Sequence, residues 1–311
     1  MNHNNSLSEL TSVIISKTSK LISELSPSIV FVHGDTASTL SATLAAYFNQ
    51  IPVAHVEAGL RTDNIYSPWP EEGNRQLVSR LASVNFVPTK VSRDNLICEN
   101  INDKKIVISG NTVIDALFFV RDLIFNSQER QNEIINSLPN IDFNNKFVLV
   151  TTHRRENFGD GLEAIIESIV LLSKIHQNIQ FVLPLHLNPN VKLPIENALS
   201  SVKNVVLINP QDYISFVYLM MNSILILTDS GGIQEEAPAL GVPVLLMRDN
   251  TERPEVLNNG SVTMVGTNSS LIVSKTSELI NDSTKKINNY NFPFGDGTAS
   301  KKIMDWLINN V

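Results

Sequence analysis

Two acidic residues follow apolar segments at positions where the sequence predicts a binding crevice. Asp35 comes shortly after the apolar, β-branched run Ser28–Val32, and Glu57 comes directly after a second run, Ile51–Val56. A helical pattern separates the two runs, and in a strand–helix–strand unit the strands are parallel, with their carboxyl ends at the same edge of the sheet. Open α/β sheets bind ligands at that edge. We therefore expect Asp35 and Glu57 to enter one crevice.

A third acid, Glu71, follows in the segment Pro70-Glu71-Glu72-Gly73-Asn74-Arg75. Carboxylates are among the side chains that transfer protons in catalysis. Each acid also has a structural explanation, since Asp35 could cap a helix, Glu57 could end a strand, and Glu71 could lie in a first helical turn. Three acids after successive elements, among Gly, His and Arg rather than Lys and Ser, favour a functional site.

A glycine pair in the second half has features of a phosphate site. Thr228-Asp229-Ser230-Gly231-Gly232 follows the apolar run Ile224–Leu227 and opens a predicted helix, Ile233–Leu240. Two glycines let the backbone approach a ligand closely, and N–H groups at a helix start attract phosphate. A Gly-Gly pair after a strand is also ordinary turn chemistry. Glu235 and Glu236 strengthen the functional interpretation, because a carboxylate there can accept hydrogen bonds from ribose hydroxyls.

The elements that must position these residues alternate along the whole chain. A helix is predicted over Ser6–Leu25, and a helix followed by a loop over Asn126–Asn145. Between helical patterns lie further short apolar runs, at Val84–Val87, Lys105–Ile108, Phe147–Val150, Gln180–Leu183, Val205–Ile208 and Val242–Met247. This βαβα alternation predicts parallel sheets with helices on both faces. Two such units, joined near Gly110-Asn111-Thr112, predict two Rossmann-like halves across a cleft.

Composition excludes several classes of protein. The chain has 311 residues, which is enough for two domains, with 42% hydrophobic residues and a net charge of −7. Without a basic tract, we expect no nucleic acid and no membrane among its partners. The single cysteine, Cys98, excludes an intrachain disulfide, and no signal pattern or spanning apolar run is found, so a cytoplasmic protein is expected. No Asp-x-Asp pair, His/Cys cluster or Gly-x-Gly-x-x-Gly fingerprint implies a metal or nicotinamide cofactor, so none is predicted.

Taken together, the motifs resemble the bacterial non-hydrolysing UDP-N-acetylglucosamine 2-epimerases. The matching segments are HGDT, HVEAGLRT, YSPWPEEGNR, TTHRREN, LHLNPN, TDSGGIQEEAPALGVPVLLMRDNTERPE and FGDGTAS. They cover nearly the whole chain at consistent spacing. The resemblance implies the GT-B architecture, with a first domain over residues 1–111, a UDP-binding domain over 112–298, and a terminal helix within 299–311 that returns to the first domain. It also implies a homodimer.

The resemblance implies a role for each candidate residue. Asp35, Glu57 and Glu71 correspond to acid–base carboxylates, and His153 corresponds to a diphosphate or active-site contact near Arg154 and Arg155. The UDP contacts implied are Ser230, Gly231 and Gly232 for the diphosphate, Glu236 for the ribose, Gln211 and Phe216 for the uracil, and Arg253 in the substrate pocket.

Some of these residues have structural alternatives. A lone His such as His153 is more often structural, and a structural role is also favoured for His186. Phe216 could belong to the core, and Arg253 could form a surface ion pair with Glu252 or Glu255.

The activity implied is interconversion of UDP-N-acetylglucosamine and UDP-N-acetylmannosamine for surface polysaccharide precursors. In that chemistry a base removes the C2 proton while UDP leaves C1, and a glycal forms. UDP then adds back as C2 is protonated on the opposite face, which requires two proton-transfer groups and fixed positive charge for the leaving group. The alternatives are a GT-B glycosyltransferase and a non-catalytic protein that binds a UDP-sugar.

One departure from the family concerns the front of the chain. The family begins with a strand and a Gly-Thr-Arg-Pro-Glu turn ahead of the helix that here starts near Ser6, and this sequence does not contain them. We therefore expect Ser28–Val32 to be an edge strand of its sheet. We also expect residues 1–311 to form soluble aggregates or an ill-defined oligomer and to turn over substrate slowly.

Overall fold

The computed structural model describes residues 6–154, 157–258, 260–282 and 292–311. The chain divides into two compact units. The first consists of Met1–Asp115 and Pro293–Val311, and the second consists of Ala116–Phe292. Helices and short strands alternate through both units, as the sequence predicts for an α/β protein.

All strands of the described residues are three to five residues long. In chain order they are β1 (Val30–His33), β2 (Val53–Val56), β3 (Val84–Val87), β4 (Ile106–Ile108), β5 (Phe147–Thr151), β6 (Gln180–Pro184), β7 (Val205–Ile208), β8 (Leu225–Thr228), β9 (Val244–Leu246) and β10 (Val262–Met264).

The helices are seven to nineteen residues long, apart from one of five residues. They are α1 (Leu7–Leu25), α2 (Ala37–Phe48), α3 (Glu71–Leu81), α4 (Lys90–Cys98), α5 (Thr112–Phe125), α6 (Gln128–Ser137), α7 (Asp160–Ile175), α8 (Pro189–Leu199), α9 (Tyr213–Asn222), α10 (Ile233–Ala239), α11 (Pro254–Asn258), α12 (Ser269–Asn281) and α13 (Ala299–Asn310). No helix in the described ranges is both long enough and apolar enough to cross a membrane.

The first unit contains a four-stranded parallel sheet in the order β1-β2-β3-β4. On one face, α1 and α2 pack a core that includes Ile22, Val32 and Ala45. On the other face, Ile303 and Trp306 of α13 pack against Phe86, whose ring meets the Trp306 ring edge-on at 5.4 Å. The terminal helix is therefore part of the first unit's core.

Strand β1 lies at one end of this sheet and, among the described residues, pairs only with β2. The expectation of a sheet edge is confirmed for the described part of the chain, although the strand begins at Val30 rather than Ser28. Consecutive side chains of β1 differ in burial, since Val32 is buried and Phe31 is 42% exposed.

The second unit contains a six-stranded parallel sheet in the order β10-β9-β8-β5-β6-β7. Strands β5 and β8 are central and almost completely buried, which is why Phe147–Val150 and Leu225–Leu227 are continuous apolar runs rather than alternating ones. The sequence did not predict β10. It has only three residues, and Thr263 in its middle is exposed, so it has too few apolar residues to be recognised.

A buried histidine ties β2 to the turn after β1. His55 is completely buried, and its Nε2 lies 2.8 Å from the carbonyl oxygen of Gly34, to which it donates. Burial disfavours the charged imidazolium and lowers the pKa of His55 to about 4. The neutral ring therefore contributes a hydrogen bond without a buried charge.

This environment predicts a specific dependence of stability on pH. The pKa of His55 rises from about 4 in the folded chain to 6.5 on unfolding, so the unfolded chain binds more protons between those values. Stability should fall as the pH falls through this window, by about 2 kcal/mol at pH 5 from this residue alone. Both tryptophans, Trp69 and Trp306, lie in the first unit, so their fluorescence during urea denaturation at pH 7.5 and pH 5 reports its unfolding.

The substitution His55→Gln keeps an N–H donor near Gly34 and removes the titratable ring, so its stability should differ less between the two pH values. The exposed His186 provides the control, and His186→Gln should retain the wild-type difference. An unchanged pH dependence in His55→Gln would contradict the assignment.

Candidate functional site

The carboxyl ends of β1 and β2 bring two of the predicted acids to one sheet edge. The strands are parallel, with Val32 opposite His55, and the Gly34 N–H donates to the Val56 carbonyl at 3.0 Å. A methyl group placed on Gly34 would lie 3.4 Å from a carboxylate oxygen of Glu57, so the two turns are in contact. The parallel pairing predicted from the sequence is confirmed.

Glu57 is held by groups from two other segments. His33 Nε2 lies 3.1 Å from Glu57 Oε2, and Asn111 Nδ2 donates to Oε1 at 3.3 Å. The backbone of Glu57 has a φ of 65°, in the left-handed region that non-glycine residues seldom adopt. Such local strain is common where a functional side chain must be aimed.

Asp35 is paired with a cation that the sequence analysis did not assign. Arg75 Nη2 lies 2.8 Å from Asp35 Oδ2, and its guanidinium is buried next to the fully buried Glu72 at 3.6 Å. Asn74 donates to the Asp35 carbonyl at 2.8 Å. The helix-cap explanation of Asp35 is wrong, because the side chain of Thr36 caps α2.

Glu71 and its neighbour Glu72 have different surroundings. Glu72 accepts hydrogen bonds from the Thr62 N–H at 3.1 Å and from Gln76 at 2.9 Å, so it supports the loop before α3. Glu71 is the first residue of α3 and is half-buried. The side chain of Glu71 makes no hydrogen bond or ion pair to any residue that the structure describes.

In the second unit, one buried carboxylate organises the carboxyl edge of the sheet. Asp229 directly follows β8 and is completely inaccessible to solvent. Its oxygens accept hydrogen bonds from backbone and side-chain donors of the loop after β5, namely the Thr152 hydroxyl, the His153 and Arg154 N–H groups and the Asn157 amide. The ring nitrogen Nδ1 of His153 lies 3.2 Å away. Asp229 thus fixes that loop to the end of β8.

Hydrogen bonds dominate the ionisation of Asp229. Burial raises its pKa, but the His153 side chain and the N–H groups of His153 and Arg154 favour the ionised form and bring the pKa below the usual aspartate value. The buried carboxylate is therefore charged at neutral pH.

The glycine pair lies among charged side chains. A methyl group on Gly231 would come within 3.1 to 3.2 Å of Arg253 Nη1, Glu252 Oε1 and Arg154 Nη2. Two guanidinium groups therefore border the backbone where the sequence predicted a phosphate contact. A guanidinium can bind phosphate through two parallel hydrogen bonds. Arg155 lies outside the described residues.

Arg253 belongs to a buried network rather than to a surface ion pair. Its Nε donates to Glu235 and its Nη1 to Glu252, both at 2.5 Å, and all three side chains are almost fully buried. Glu252 also pairs with Arg248 at 3.3 Å. The alternative of an ion pair between Arg253 and Glu252 is correct about the partner, but the pair is buried and not on the surface.

Glu236 has a tyrosine partner. Tyr213 donates its hydroxyl to Glu236 Oε1 at 2.7 Å. Burial raises the pKa of Glu236, while Tyr213 and the nearby Arg253 oppose that shift. The hydroxyl holds one oxygen of Glu236 in place, and a methyl group on Gly232 would lie 3.5 Å from the other oxygen.

The remaining predicted residues lie on elements at the same sheet edge. His153 stacks on the exposed His186, with ring centroids 5.9 Å apart. Gln211 donates to the Asn209 carbonyl at 2.7 Å, and Phe216 is a half-buried residue of α9 rather than a fully buried core residue. Among the described residues, no group of three His, Cys, Asp or Glu side chains could hold a metal ion.

Three further residues belong to these clusters and were missed. Arg75 and Asp229 stand within the motifs that carry the resemblance, and Tyr213 lies between the candidate residues Gln211 and Phe216. The sequence signal was present, because Asp229 directly precedes the Ser-Gly-Gly segment and Arg75 follows Glu71 and Glu72 at helical spacing. Their partners are 23 to 77 residues away, however, so only the folded chain identifies them.

Two α/β units, each with a parallel sheet, define a protein of the GT-B fold class. A sequence model of the family described as UDP-N-acetylglucosamine 2-epimerase matches residues 1–308. The Escherichia coli (strain K12) protein of that name is 50% identical over 306 residues, which are 98% of this chain and 81% of that protein. The chain belongs to the UDP-N-acetylglucosamine 2-epimerase family, whose members are isomerases.

Solved structures agree with this assignment. The crystal structure of UDP-GlcNAc 2-epimerase from Neisseria meningitidis bound to UDP-GlcNAc has a TM-score of 0.96 at 48% identity, covering 100% of this chain and 84% of that one. The Methanocaldococcus jannaschii UDP-GlcNAc 2-epimerase in complex with UDP-GlcNAc and UDP has a TM-score of 0.87 at 33% identity, covering 99% and 83%.

The buried network around Arg253 predicts a large loss of stability on truncation. Arg253→Ala leaves the carboxylates of Glu235 and Glu252 buried beside a missing cation, which should cost the second unit about 3–5 kcal/mol. The rate of amide hydrogen exchange in β5 and β8 measures this loss of stability. The half-exposed Lys192, which pairs only with Glu196 among the described residues, provides the control, since Lys192→Ala should leave exchange unchanged. Wild-type protection in Arg253→Ala would contradict the structural role.

Proposed function

We propose that the protein interconverts UDP-N-acetylglucosamine and UDP-N-acetylmannosamine by eliminating UDP and adding it back, and that it supplies surface polysaccharide precursors. Membership of the family and the bound UDP-GlcNAc of the Neisseria meningitidis relative support the substrate. The observation that carries the proposal is the placement of Asp35 and Glu57 at the ends of two adjacent parallel strands.

The first unit supplies the proton-transfer groups. Removing the C2 proton from one face and returning it to the other requires an acid and a base. Asp35 faces the permanent cation of Arg75, whereas Glu57 faces the imidazole of His33 and the amide of Asn111. Glu71 adds a third carboxylate. Because their partners differ, Asp35 and Glu57 can take different roles in proton transfer, one as the acid and one as the base.

The second unit binds the leaving group. Gly231 lets the backbone approach the diphosphate, and Arg154 and Arg253 border it with positive charge. Ser230, Gly232 and His153 complete the diphosphate contacts, and Glu236 accepts from the ribose hydroxyls. Gln211 and Phe216 hold the uracil. Fixed positive charge favours departure of UDP because it interacts most strongly with the charge that develops in the transition state.

The reaction balances without any external acceptor. The electron pair of the C2–H bond forms a C1–C2 double bond as the C1–O bond breaks, and UDP carries away the bonding pair. On return, UDP bonds to C1 and a proton adds to C2 from the opposite face. A glycosyltransferase would need a second sugar or another acceptor, so turnover of UDP-N-acetylglucosamine alone separates the two functions.

Exchange of the C2 proton tests the acid–base assignment. In heavy water, UDP-N-acetylglucosamine should acquire deuterium at C2, as measured by mass spectrometry or proton NMR. Asp35→Asn, Glu57→Gln and Glu71→Gln should each lower that rate by about 10²–10⁴-fold, which is typical of a general acid or base.

The exposed Glu24 is the matched control, because Glu24→Gln removes a carboxylate of the same unit without touching the sheet edge. Glu72→Gln is unsuitable, since Glu72 is buried and hydrogen-bonded. Wild-type exchange in Glu57→Gln would remove Glu57 from the acid–base set.

UDP binding tests the second unit. Isothermal titration of the full chain with UDP should show weaker binding in Glu236→Gln, which has lost the carboxylate that accepts from the ribose. Tyr213→Phe should weaken binding as well, because the oxygen of Glu236 loses its donor. We expect a change of about 3- to 30-fold for each, equivalent to roughly 0.6–2 kcal/mol per hydrogen bond. The control is Tyr47→Phe on α2, and equal affinity in all four proteins would contradict the ribose assignment.

A further inference from the structure

The contact between Asp229 and His153 has a chemical consequence beyond holding the loop. Asp229 is fully buried, whereas the His153 side chain is 37% exposed. The Nδ1 atom of His153 lies 3.2 Å from Asp229 Oδ1. Since Nδ1 faces the buried carboxylate, Nε2 lies on the side of the ring away from Asp229.

The protonation of the ring follows from the charge on its partner. An ionised carboxylate only accepts hydrogen bonds, and neutral imidazole carries one proton on one of its two nitrogens. The favourable arrangement therefore places that proton on Nδ1 and leaves the lone pair on Nε2.

The hydrogen bonds of the two carboxylate oxygens are unequal. Asp229 Oδ2 accepts from the Thr152 hydroxyl, the N–H groups of His153 and Arg154, and the Asn157 amide, at 2.9 to 3.1 Å. Among the residues that the structure describes, Oδ1 faces His153 alone, through its N–H at 3.1 Å and its Nδ1. One oxygen therefore holds the loop, while the other orients the histidine.

We propose that Asp229 is a positioning residue that keeps His153 in the Nδ1–H tautomer and so presents Nε2 to the diphosphate of UDP. This role rests on the proposed function of the second unit. When protonated, His153 then donates from Nε2 to a phosphate oxygen while Asp229 balances its charge. The ring of His186 stacks on one face of the imidazole, with the ring centroids 5.9 Å apart.

The substitution Asp229→Asn separates the two oxygens. The single oxygen of asparagine should take the place of Oδ2, where four donors converge, and its NH₂ group then falls at the place of Oδ1. An NH₂ group cannot accept the Nδ1 proton, so His153 should switch to the Nε2–H tautomer while the loop keeps its four hydrogen bonds to the remaining oxygen.

The experiment is nitrogen NMR of the histidine rings in the full chain labelled with ¹⁵N-histidine. Comparison with His153→Asn assigns the His153 signals. The wild type should show the Nδ1–H tautomer, and Asp229→Asn should show the Nε2–H tautomer. Thr152→Val removes one bond of the loop to Asp229 but does not touch the ring, so it should keep the wild-type tautomer.

A double-mutant cycle with UDP as the probe tests whether Asp229 acts through His153. Asp229→Asn should weaken UDP binding about 10- to 100-fold, the usual effect of removing a partner that orients a histidine ligand. In a His153→Asn background the same change should have little further effect.

The outcomes are distinct. An Nε2–H tautomer in the wild type overturns the proposal even if the Asp229 variant does not fold, and so does an equal loss of affinity with and without His153. Failure of the wild type to bind UDP overturns both this inference and the UDP assignment. Binding with the expected tautomers but without turnover supports the inference and contradicts only the epimerase activity.

Discussion

Parallel pairing of neighbouring strands is the constraint on which both polar clusters depend. In the first unit, pairing of β1 with β2 brings the turn at Asp35 against the turn at Glu57. In the second, pairing of β5 with β8 places Thr151 opposite Thr228, and the residues that follow, His153 and Asp229, meet at that edge. Each strand contributes a residue just beyond its last ladder hydrogen bond, where the backbone is free to turn. The pairing of the strands therefore sets the positions of the polar side chains in each unit.

Buried charge is the second feature common to the two units. Arg75 between Asp35 and Glu72, Arg253 between Glu235 and Glu252, and Asp229 among its donors are all removed from water. An ion in such surroundings costs several kcal/mol unless partners replace its hydration, and Asp229 and Arg253 each have several such partners. Contacts at more than one point fix the orientation of these buried groups, and Asp229 in turn contacts the partly exposed ring of His153. In this protein, buried ion pairs and hydrogen bonds that add little net stability still orient the side chains that form them.

The two units use their polar groups differently. The acids of the first unit have chemically distinct partners, a guanidinium that keeps its proton and an imidazole that exchanges one. In the second unit the glycine pair is bordered by the guanidinium groups of Arg154 and Arg253 and by the carboxylates of Glu252 and Glu236, and Arg253 also pairs with the buried Glu235. Proton transfer requires groups whose charge changes, whereas binding of a diphosphate requires charge that stays constant. The arrangement of partners in each unit matches the role that we propose for it.

The amino-acid sequence by itself determined the alternation of strands and helices, the parallel sheets and the family. Those features depend on local patterns that can be recognised without knowing the fold, such as the apolar run Phe147–Val150 or the motif around Glu57. The strand Val262–Met264 escaped because three residues carry too little periodic signal. Only the tertiary structure decided the partners of Asp35, Glu236 and Asp229, since they are 23 to 77 residues distant and hydrogen bonding depends on separation in space. It likewise decided that Arg253 is buried, because burial is a property of the whole packed unit and not of the residues beside it.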